Sequence, residues 1–534
     1  MISGDEMVEK KSFASPGGER KLDELNQSEA LNKVICRFQG ELAEAWGAIK
    51  PLAKPFTTHE GHYIYDAGTN RIFSCNTLEF NLLNNLLDCS IADALNIHRY
   101  QCSQEEFIDA LTTISSQMMG KDILKARRIK LMIPDYFEKI FQDSLGQIIL
   151  EVTEKCNLRC RYCIYNPSYS QQRNHGSKEM SIDIALKAID HLESHSSSKE
   201  RVGISFYGGE PLLRFPFMKE CVRYAKRRIP GQKLFFSMTT NGTLVDRKIS
   251  DFLAENEFAV HVSVDGPREI HDENRTSPDG AGSFLEAKRG LELLLDAYDE
   301  KNKNRISLGM VYSPPYSEQK LARTAALWDE GWLPKDISFS FSYAQEGAPL
   351  AELNADRLDY SLLNWTIKNY LDSYRSGLKP HPLAAKTLDM KLAAIHRRDI
   401  FHGEVQETGL NSCCFPGVRK IYVSADGTTY LCERVGLSPS LGDIRGGLDI
   451  DKIKRAFLLD YRDMSSISCS DCWCFRLCDI CYVHSNYGGC FNSRYKKYHC
   501  QVQKKLHEIY LKIYCTLMEI NPSGLDHLLR LEIS

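Results

Sequence analysis

The sequence lacks the features that would indicate a membrane, an export route or a nucleic-acid partner. Nowhere in its 534 residues do the roughly eighteen consecutive apolar residues of a membrane-spanning helix occur. The first residues, MISGDEMVEKKS, do not contain the apolar core of a secretory signal. The formal net charge is only -3, so there is no basic excess of the kind used to bind nucleic acid. We therefore expect a cytoplasmic protein with no membrane and no nucleic-acid partner.

Cysteine, in contrast, is abundant. The proportions of apolar residues (43%) and charged residues (26%) are typical of a folded globular protein, and the 19 cysteines stand out against them. Because no export signal is found, metal or redox use is a better interpretation than disulfides. Three cysteines lie at 156–163 and ten at 413–500. The other six are interpreted as ordinary buried thiols: Cys36, Cys75, Cys89, Cys102, Cys221 and Cys515.

Apolar patterning divides the chain into five parts. Residues 1–55 are predicted to be a flexible or helical lead. Within residues 56–135, a first part that alternates apolar and polar residues is followed by amphipathic helical stretches. This pattern predicts a small α+β domain. From 145 to 350 six short apolar runs alternate with helical stretches, so we expect an α/β domain with a parallel sheet in the form of a partial (β/α)6 barrel. Residues 351–410 are predicted to be a helical linker, and 411–534 a cysteine-rich domain.

Unusual residues follow four of the predicted parallel strands. Cys156 comes after the first strand, the segment 208–210 after the second, Asn241 after the third and Asp265 after the fourth. In parallel α/β folds the carboxyl ends of the strands meet at one face, where ligands bind. The sequence therefore predicts a site on that face.

The first cysteine group has the spacing of an iron-sulfur cluster loop. Cys156, Cys160 and Cys163 form a C-x3-C-x2-C pattern. Three thiolates on a four-iron cluster leave one iron open to bind and activate another molecule. The spacing alone also permits zinc.

With its surroundings this loop resembles the radical S-adenosylmethionine (SAM) superfamily. The resemblance implies that SAM chelates the open iron and yields a 5'-deoxyadenosyl radical that abstracts a hydrogen atom. The YGGEP, TTNGT and SVDGPREIHDENR segments extend the match. The implied SAM-binding residues are Tyr162 near the adenine, Gly208, Gly209 and Glu210 near the amino group, Asn241 and Asp265 at strand ends, Ser263 at the ribose and Arg275 at the carboxylate.

The second cysteine group resembles the SPASM extension of radical SAM enzymes, which holds two auxiliary 4Fe-4S clusters, so three clusters are expected in all. Cys414, then Gly427, then Cys432 match its first pattern, and a C-x2-C-x5-C run with later cysteines matches its second. The resemblance implies an inner auxiliary cluster on Cys414, Cys432 and Cys481, and an outer one on Cys469, Cys472, Cys478 and Cys500.

This second match departs from the SPASM pattern in two respects. Two residues, not three, separate Cys478 from Cys481. The inner cluster also lacks an evident fourth ligand, so either Cys413 supplies it or an iron stays open for a substrate thiolate. Cys474 and Cys490 are left over, and Cys490 competes with Cys500. One or two zinc sites are the alternative for the whole group.

Two further segments indicate a substrate. Residues 61–87 resemble the winged-helix-like domain that recognises the leader of a precursor peptide by adding it as a strand; the alternative is a cap with no binding role. The segment after Cys432 resembles maturases that join a cysteine sulfur to carbon, as in sactipeptides and ranthipeptides. Glu433 stands where sulfatase-maturing relatives carry an aspartate base, and we interpret it as a catalytic base.

The predicted function is therefore thioether formation in a precursor peptide, with SAM and an electron donor such as flavodoxin or ferredoxin. Other radical outcomes on a peptide remain open: a carbon-carbon crosslink, epimerisation or oxidation to formylglycine. A non-enzymatic alternative is a zinc-stabilised protein that binds peptides.

Overall fold

The structure is a computed structural model. It describes residues 17–166, 175–229, 233–344, 350, 352–402, 407–409, 413–435 and 438–531, so the first sixteen residues of the predicted lead lie outside it. The chain divides into an N-terminal unit, made of residues 1–128 with 399–406, and a second unit, made of 129–398 with 407–534. Within the described residues no helix has the length and apolar character needed to cross a membrane.

The described residues form α-helices and β-strands, with short 3-10 turns between some of them. The helices are α1 (Gly17–Trp46), α2 (Thr77–Asp88), α3 (Ile91–Arg99), α4 (Gln104–Lys121), α5 (Phe137–Asp143), α6 (Ile182–Ser194), α7 (Phe215–Arg228), α8 (Arg247–Glu255), α9 (Arg268–Asp272), α10 (Phe284–Ala297), α11 (Glu318–Ala325), α12 (Ser361–Arg375), α13 (Pro382–His396), α14 (Ile450–Ile453), α15 (Tyr461–Cys469) and α16 (Ser493–Ile520). The strands are β1 (Ala53–Thr57), β2 (His62–Asp66), β3 (Arg71–Cys75), β4 (Lys130–Leu131), β5 (Gln147–Thr153), β6 (Arg201–Gly208), β7 (Lys233–Thr240), β8 (Ala259–Ser263), β9 (Ile306–Tyr312), β10 (Ser338–Tyr343), β11 (Glu407–Thr408), β12 (Ile421–Val423), β13 (Thr428–Tyr430), β14 (Gly442–Asp443), β15 (Gly447–Leu448), β16 (Asn486–Tyr487) and β17 (Cys490–Phe491).

The N-terminal unit is a three-stranded antiparallel sheet followed by three helices. Strand β2 pairs with β1 on one side and with β3 on the other, so β1 and β3 are the sheet edges. Asn76 and Ser103 form capping boxes that begin α2 and α4. These helices bury Leu82, Leu86 and Phe107 in the core of the unit.

Helix α1 also belongs to this unit, which therefore begins before the predicted boundary at residue 56. Leu31, Phe38, Leu42 and Trp46 lie on one face of α1 and are buried in the same core. Their spacing of seven, four and four residues is that of an amphipathic helix. A short return segment after α13 joins the unit as well, since the Asn70 side chain donates to the Asp399 carbonyl at 2.9 Å.

The second unit is built on a large parallel sheet, and the predicted α/β class is confirmed. All six apolar runs expected to be strands form β5 to β10, which pair side by side in sequence order. Helices connect successive strands, and α6 buries Ile184, Ala188 and Leu192 against the sheet. Strand β5 is buried along nearly its whole length, as expected for a parallel sheet covered on its faces.

The same sheet continues into the cysteine-rich region. Strand β12 pairs in parallel with β5, with Ile421 opposite Ile148, and β13, β14 and β15 follow as antiparallel neighbours. Apolar residues of both regions, such as Leu150 and Val423, share one core. The hairpin that leads to Cys432 is therefore attached to the strand that leads to Cys156.

Candidate functional site

The first cysteine group lies in the loop after β5, as the spacing predicts. The loop is anchored by backbone hydrogen bonds from Arg159 and Arg161 to the 274–276 segment, at 2.7 and 3.0 Å. Burial, with a smaller contribution from the neighbouring thiols, raises the pKa of Cys156 to about 12 and that of Cys163 to about 11. These pKa values reflect the burial of the thiols, which must lose their protons when they bind iron.

Two glycines allow the end of β6 to lie directly against this loop. A Cβ atom on Gly208 would stand 2.3 Å from the Thr153 carbonyl oxygen, and one on Gly209 would stand 2.1 Å from that of Lys155. The Gly209 N–H donates to Thr153 at 2.8 Å and the Glu210 N–H to Lys155 at 2.9 Å. Only glycine fits such close backbone approach.

Glu210 fixes the neighbouring strand end. Its buried carboxylate accepts hydrogen bonds from the Thr240 hydroxyl and the Asn241 N–H, both at 2.8 Å, and from the Leu212 N–H at 3.1 Å. Burial raises its pKa to about 7, although these three hydrogen bonds oppose the shift. The Asn241 amide in turn donates to the Asn157 side chain at 2.8 Å. Glu210 thus positions Asn241 beside the cysteine loop.

Asp265 and Arg275 form a buried forked ion pair on the same face. The Arg275 Nε and Nη2 atoms lie 3.0 and 3.1 Å from the two carboxylate oxygens of Asp265. Tyr162 donates its hydroxyl proton to Asp265, and the guanidinium lies 5.3 Å from the centre of its ring. The remaining N–H groups of Arg275 are the donors that a ligand carboxylate would use. Ser263 ends β8 beside Gly309.

These residues fit a cluster with one open iron. The donor set consists of three buried thiols from one loop, with the Arg275 cation next to Cys160. Among the described residues no His, Cys, Asp or Glu group has the arrangement of ligands around one metal ion. Thiols that enclose four irons stand farther apart than the ligands of one ion, so the two findings are compatible.

A second group of thiols, which we call the inner group, consists of Cys413, Cys414, Cys432 and Cys481. Burial and then the adjacent Glu433 raise the pKa of Cys432 to about 11, and Cys481 contributes. Burial is also the main cause of the raised pKa of Cys413 and of Cys481, and Cys414 adds to both. Cys413 therefore lies with the three residues expected to hold the inner cluster.

Glu433 follows Cys432 and is bound to a cation. The Lys420 ammonium lies 2.9 and 3.0 Å from its two carboxylate oxygens, and both side chains are partly buried. The contact fixes the position of the Glu433 carboxylate beside Cys432.

The outer group of thiols lines a small cavity. Its five cysteines are Cys469, Cys472, Cys474, Cys478 and Cys500. Cys474, unassigned by its spacing, is thus one of them. Cys490 instead is exposed on the β16–β17 hairpin, where its thiol meets the Tyr487 carbonyl. Five thiols around one cavity fit an auxiliary cluster with one thiol to spare.

The sequence analysis did not identify one residue of this cavity, Lys496. The Lys496 ammonium lies 3.4 Å from the Cys469 sulfur and 3.9 Å from the Cys500 sulfur. Burial lowers the pKa of Lys496, but the negative charge of Cys469 and Cys500 outweighs it and leaves the pKa raised. Lysines are common on helix surfaces, and the only available signal was the spacing of four residues to Cys500.

Known proteins resemble this chain in sequence and in fold. Residues 150–327 match the family model of the radical SAM superfamily. The chain is 28% identical over 392 residues to the cysteine-type anaerobic sulfatase-maturating enzyme of Clostridium perfringens, a similarity that covers 68% of this chain and 95% of that protein.

Two solved structures share the fold. Native anSMEcpe with bound AdoMet aligns at 22% identity with a TM-score of 0.50, over 72% of this chain and 100% of the other. Native anSMEcpe with bound AdoMet and Kp18Cys peptide aligns with the same score and identity, over 72% and 99%. At this identity the likeness concerns the fold alone.

Proposed function

The chain carries a radical SAM domain at residues 150–327, and from this premise we propose that it oxidises a cysteine-containing peptide or protein by a radical reaction. The supporting observation is the pairing of β12 with β5, which ties the cysteine-rich region to the strand that leads to Cys156. The partial-barrel form of the sheet and a cytoplasmic setting belong to the same proposal.

The proposed cofactors are SAM and three 4Fe-4S clusters. Cys156, Cys160 and Cys163 would hold the SAM-binding cluster, and the inner and outer groups would each hold one more. When bound, SAM and the clusters supply a hydrogen-abstracting radical and one-electron transfer. Arg275, held by Asp265, would contact the SAM carboxylate. Following the resemblance, Gly208 and Gly209 would contact the SAM amino group, Tyr162 would lie near the adenine, and Ser263 would lie near the ribose.

Cys413 favours a closed inner cluster. Four thiols of this chain then satisfy it, and no iron is needed for a substrate thiolate. Glu433, which follows Cys432 of the inner group, is the proposed acceptor of the substrate proton. Lys420 holds the Glu433 carboxylate in place before the proton is transferred.

Two products are compatible with a cysteine substrate. Thioether formation joins the sulfur to a carbon of a second residue and removes two hydrogens. Oxidation to formylglycine removes the sulfur and is favoured by the relative named above, which is similar over 95% of its length and is described as cysteine-type. Glutamate at position 433 can serve as base for either product.

The N-terminal unit is the proposed site for a peptide leader. It has two edge strands, β1 and β3, and an extended peptide can add to an exposed sheet edge through main-chain hydrogen bonds. The solved relative with bound peptide supports a peptide as the partner class. The proposal also includes an external electron donor such as flavodoxin or ferredoxin.

The test is anaerobic incubation of the full chain with SAM, a reductant and a cysteine-containing peptide, followed by mass analysis and thiol alkylation. A product lighter by two hydrogens with one thiol fewer indicates a thioether. Replacement of the cysteine sulfur by oxygen together with the loss of two hydrogens indicates formylglycine. Cys163→Ala should abolish either product, whereas the matched control Cys490→Ala should retain it. Unchanged peptide, together with SAM that is not cleaved, would contradict the proposal.

A further inference from the structure

Lys496 is a buried cation in contact with two thiols of the outer group. Helix α16 begins after the Asn492 cap, and Lys496 lies in its first turns with only 4% of its surface exposed. Its ammonium reaches the sulfurs of Cys469 and Cys500, at 3.4 and 3.9 Å. Because Cys500 is one helical turn further on, the helix itself sets this geometry.

The cavity offers this cation no carboxylate. Among the described residues, no acidic side chain comes within salt-bridge distance of the Lys496 ammonium. Besides Lys496 and a second lysine, Lys504, the cavity lining has thiols, hydroxyls, apolar side chains and the amide of Gln503, but no Asp or Glu. A buried charge without a counter-charge is strongly disfavoured. The counter-charge must therefore come from the thiols in their thiolate form, as they are in a 4Fe-4S cluster with four thiolates, which carries a net negative charge.

Lys420, the lysine beside the inner group, is in a different situation. Its ammonium is already paired with Glu433 at 2.9 Å, so that pair adds little net charge. The Lys496 ammonium, which has no carboxylate partner, therefore lies at hydrogen-bond distance from two sulfurs of the outer group. The Lys420–Glu433 pair beside the inner group supplies no such net positive charge.

We propose that Lys496 raises the reduction potential of the outer cluster. This inference rests on the proposed function, which places a 4Fe-4S cluster there. With four thiolates the cluster carries a net charge of about −2, and one added electron makes it about −3. A neighbouring ammonium stabilises the more negative state more strongly, and it donates to the sulfurs as well. Lys496 is a positioning and tuning residue and does not touch the substrate.

The test isolates the outer cluster. In a background with Cys156, Cys160, Cys163, Cys414 and Cys432 replaced by alanine, about four irons should remain. Dithionite supplies one electron per cluster, and the ratio of reduced to oxidised cluster is measured by paramagnetic resonance at fixed ambient potentials. Lys496→Met and Lys496→Gln should lower this ratio about tenfold or more, which corresponds to about 59 mV.

Two further variants separate charge from structure. Lys496→Arg keeps the charge and should stay within about threefold of the reference. Lys497→Met removes the same charge from the next, exposed position of the helix and should leave the ratio unchanged.

Each outcome decides between the two proposals. If Lys496→Met and Lys496→Gln keep the cluster and the ratio of reduced to oxidised cluster does not change, the tuning role is overturned and the proposed function is not affected. Loss of the irons in both variants would assign Lys496 to cluster assembly and would also overturn it. Absence of iron from the reference background would remove the outer cluster itself, and the proposed function would then lose its third cluster.

Discussion

The carboxylate of Glu210 accepts a hydrogen bond of 2.8 Å from the backbone N–H of Asn241, which ties the carboxyl end of β6 to that of β7. The Asn241 side chain continues to Asn157 in the cysteine loop. A glutamate expected to receive the SAM amino group thus holds together the strand ends on which SAM would rest.

Glu210 should make stability depend on pH. Burial raises its pKa to about 7 in the folded protein, above the ordinary value, so the folded state holds the proton more tightly than the unfolded state. Its stabilising contribution is then complete below about pH 4.3 and is lost as pH rises to about 7. Glu210→Gln mimics the protonated form.

As the pH is raised from about 4.5 to about 7.5, Glu210→Gln should become more stable relative to wild type. The difference in the free energy of unfolding should change by about 1 to 3 kcal/mol. Thermal unfolding at the two pH values measures it. Glu255→Gln, at an exposed helical position, is the control and should show no such trend. Parallel curves for wild type and Glu210→Gln would show that the carboxylate is not perturbed.

Gly209→Ala should displace the first cysteine loop. The added Cβ would stand 2.1 Å from the Lys155 carbonyl oxygen, and the backbone must shift to relieve the overlap. We expect loss of about four irons per chain and of SAM cleavage. Gly446→Ala, where nothing lies within 4 Å, is the control and should keep both. A fully loaded Gly209→Ala protein would mean that the loop tolerates the shift.

Cys413→Ala tests the closed inner cluster. If Cys413 is the fourth ligand, the variant should lose the inner cluster or carry it with an open iron that binds an added thiol. Iron content and the paramagnetic resonance spectrum with and without added thiol measure this. Cys474→Ala, which alters a thiol of the outer cavity, should leave the inner signal unchanged. An inner signal in Cys413→Ala that matches wild type and ignores the thiol would remove Cys413 from the ligand set.

Glu433→Gln should slow the reaction without unloading the protein. The amide cannot take a proton, and we expect kcat to fall by about 100-fold or more with KM little changed. Glu433→Asp should recover part of the rate, and Glu407→Gln, which breaks a more exposed ion pair of the same length with Lys130, should have no effect. Wild-type kcat with full iron content in Glu433→Gln would exclude it as the base.

The sequence predicted those parts of the fold that depend on local pattern. The six parallel strands and the cysteine loop could be predicted because each apolar run and each short spacing is a local signal. The pairing of β12 with β5 could not be, since Ile421 and Ile148 are 273 positions apart and no local pattern specifies their contact. The sequence left residues 1–55 as a flexible or helical lead. It did not predict that α1 packs in the core of the N-terminal unit, because polar residues outnumber the buried stripe that begins at Leu31.

Roles that depend on tertiary packing were harder to assign. Spacing left Cys413 and Cys474 open, and their positions follow from which thiols the folded chain brings together. Burial of Lys496 likewise depends on the cavity that α16 helps to line. Arg275 was expected to face a ligand carboxylate. Its contact with Asp265 could not be predicted, because it depends on how the segment after β8 folds.

The most direct measurement is iron and acid-labile sulfide per chain after anaerobic reconstitution, for wild type and for the variant with Cys156, Cys160 and Cys163 replaced by alanine. Three clusters require about twelve irons in wild type and about eight in the variant. A wild-type value near four, unchanged when Cys414, Cys432 and the outer thiols are replaced, would contradict the auxiliary clusters and the proposed chemistry.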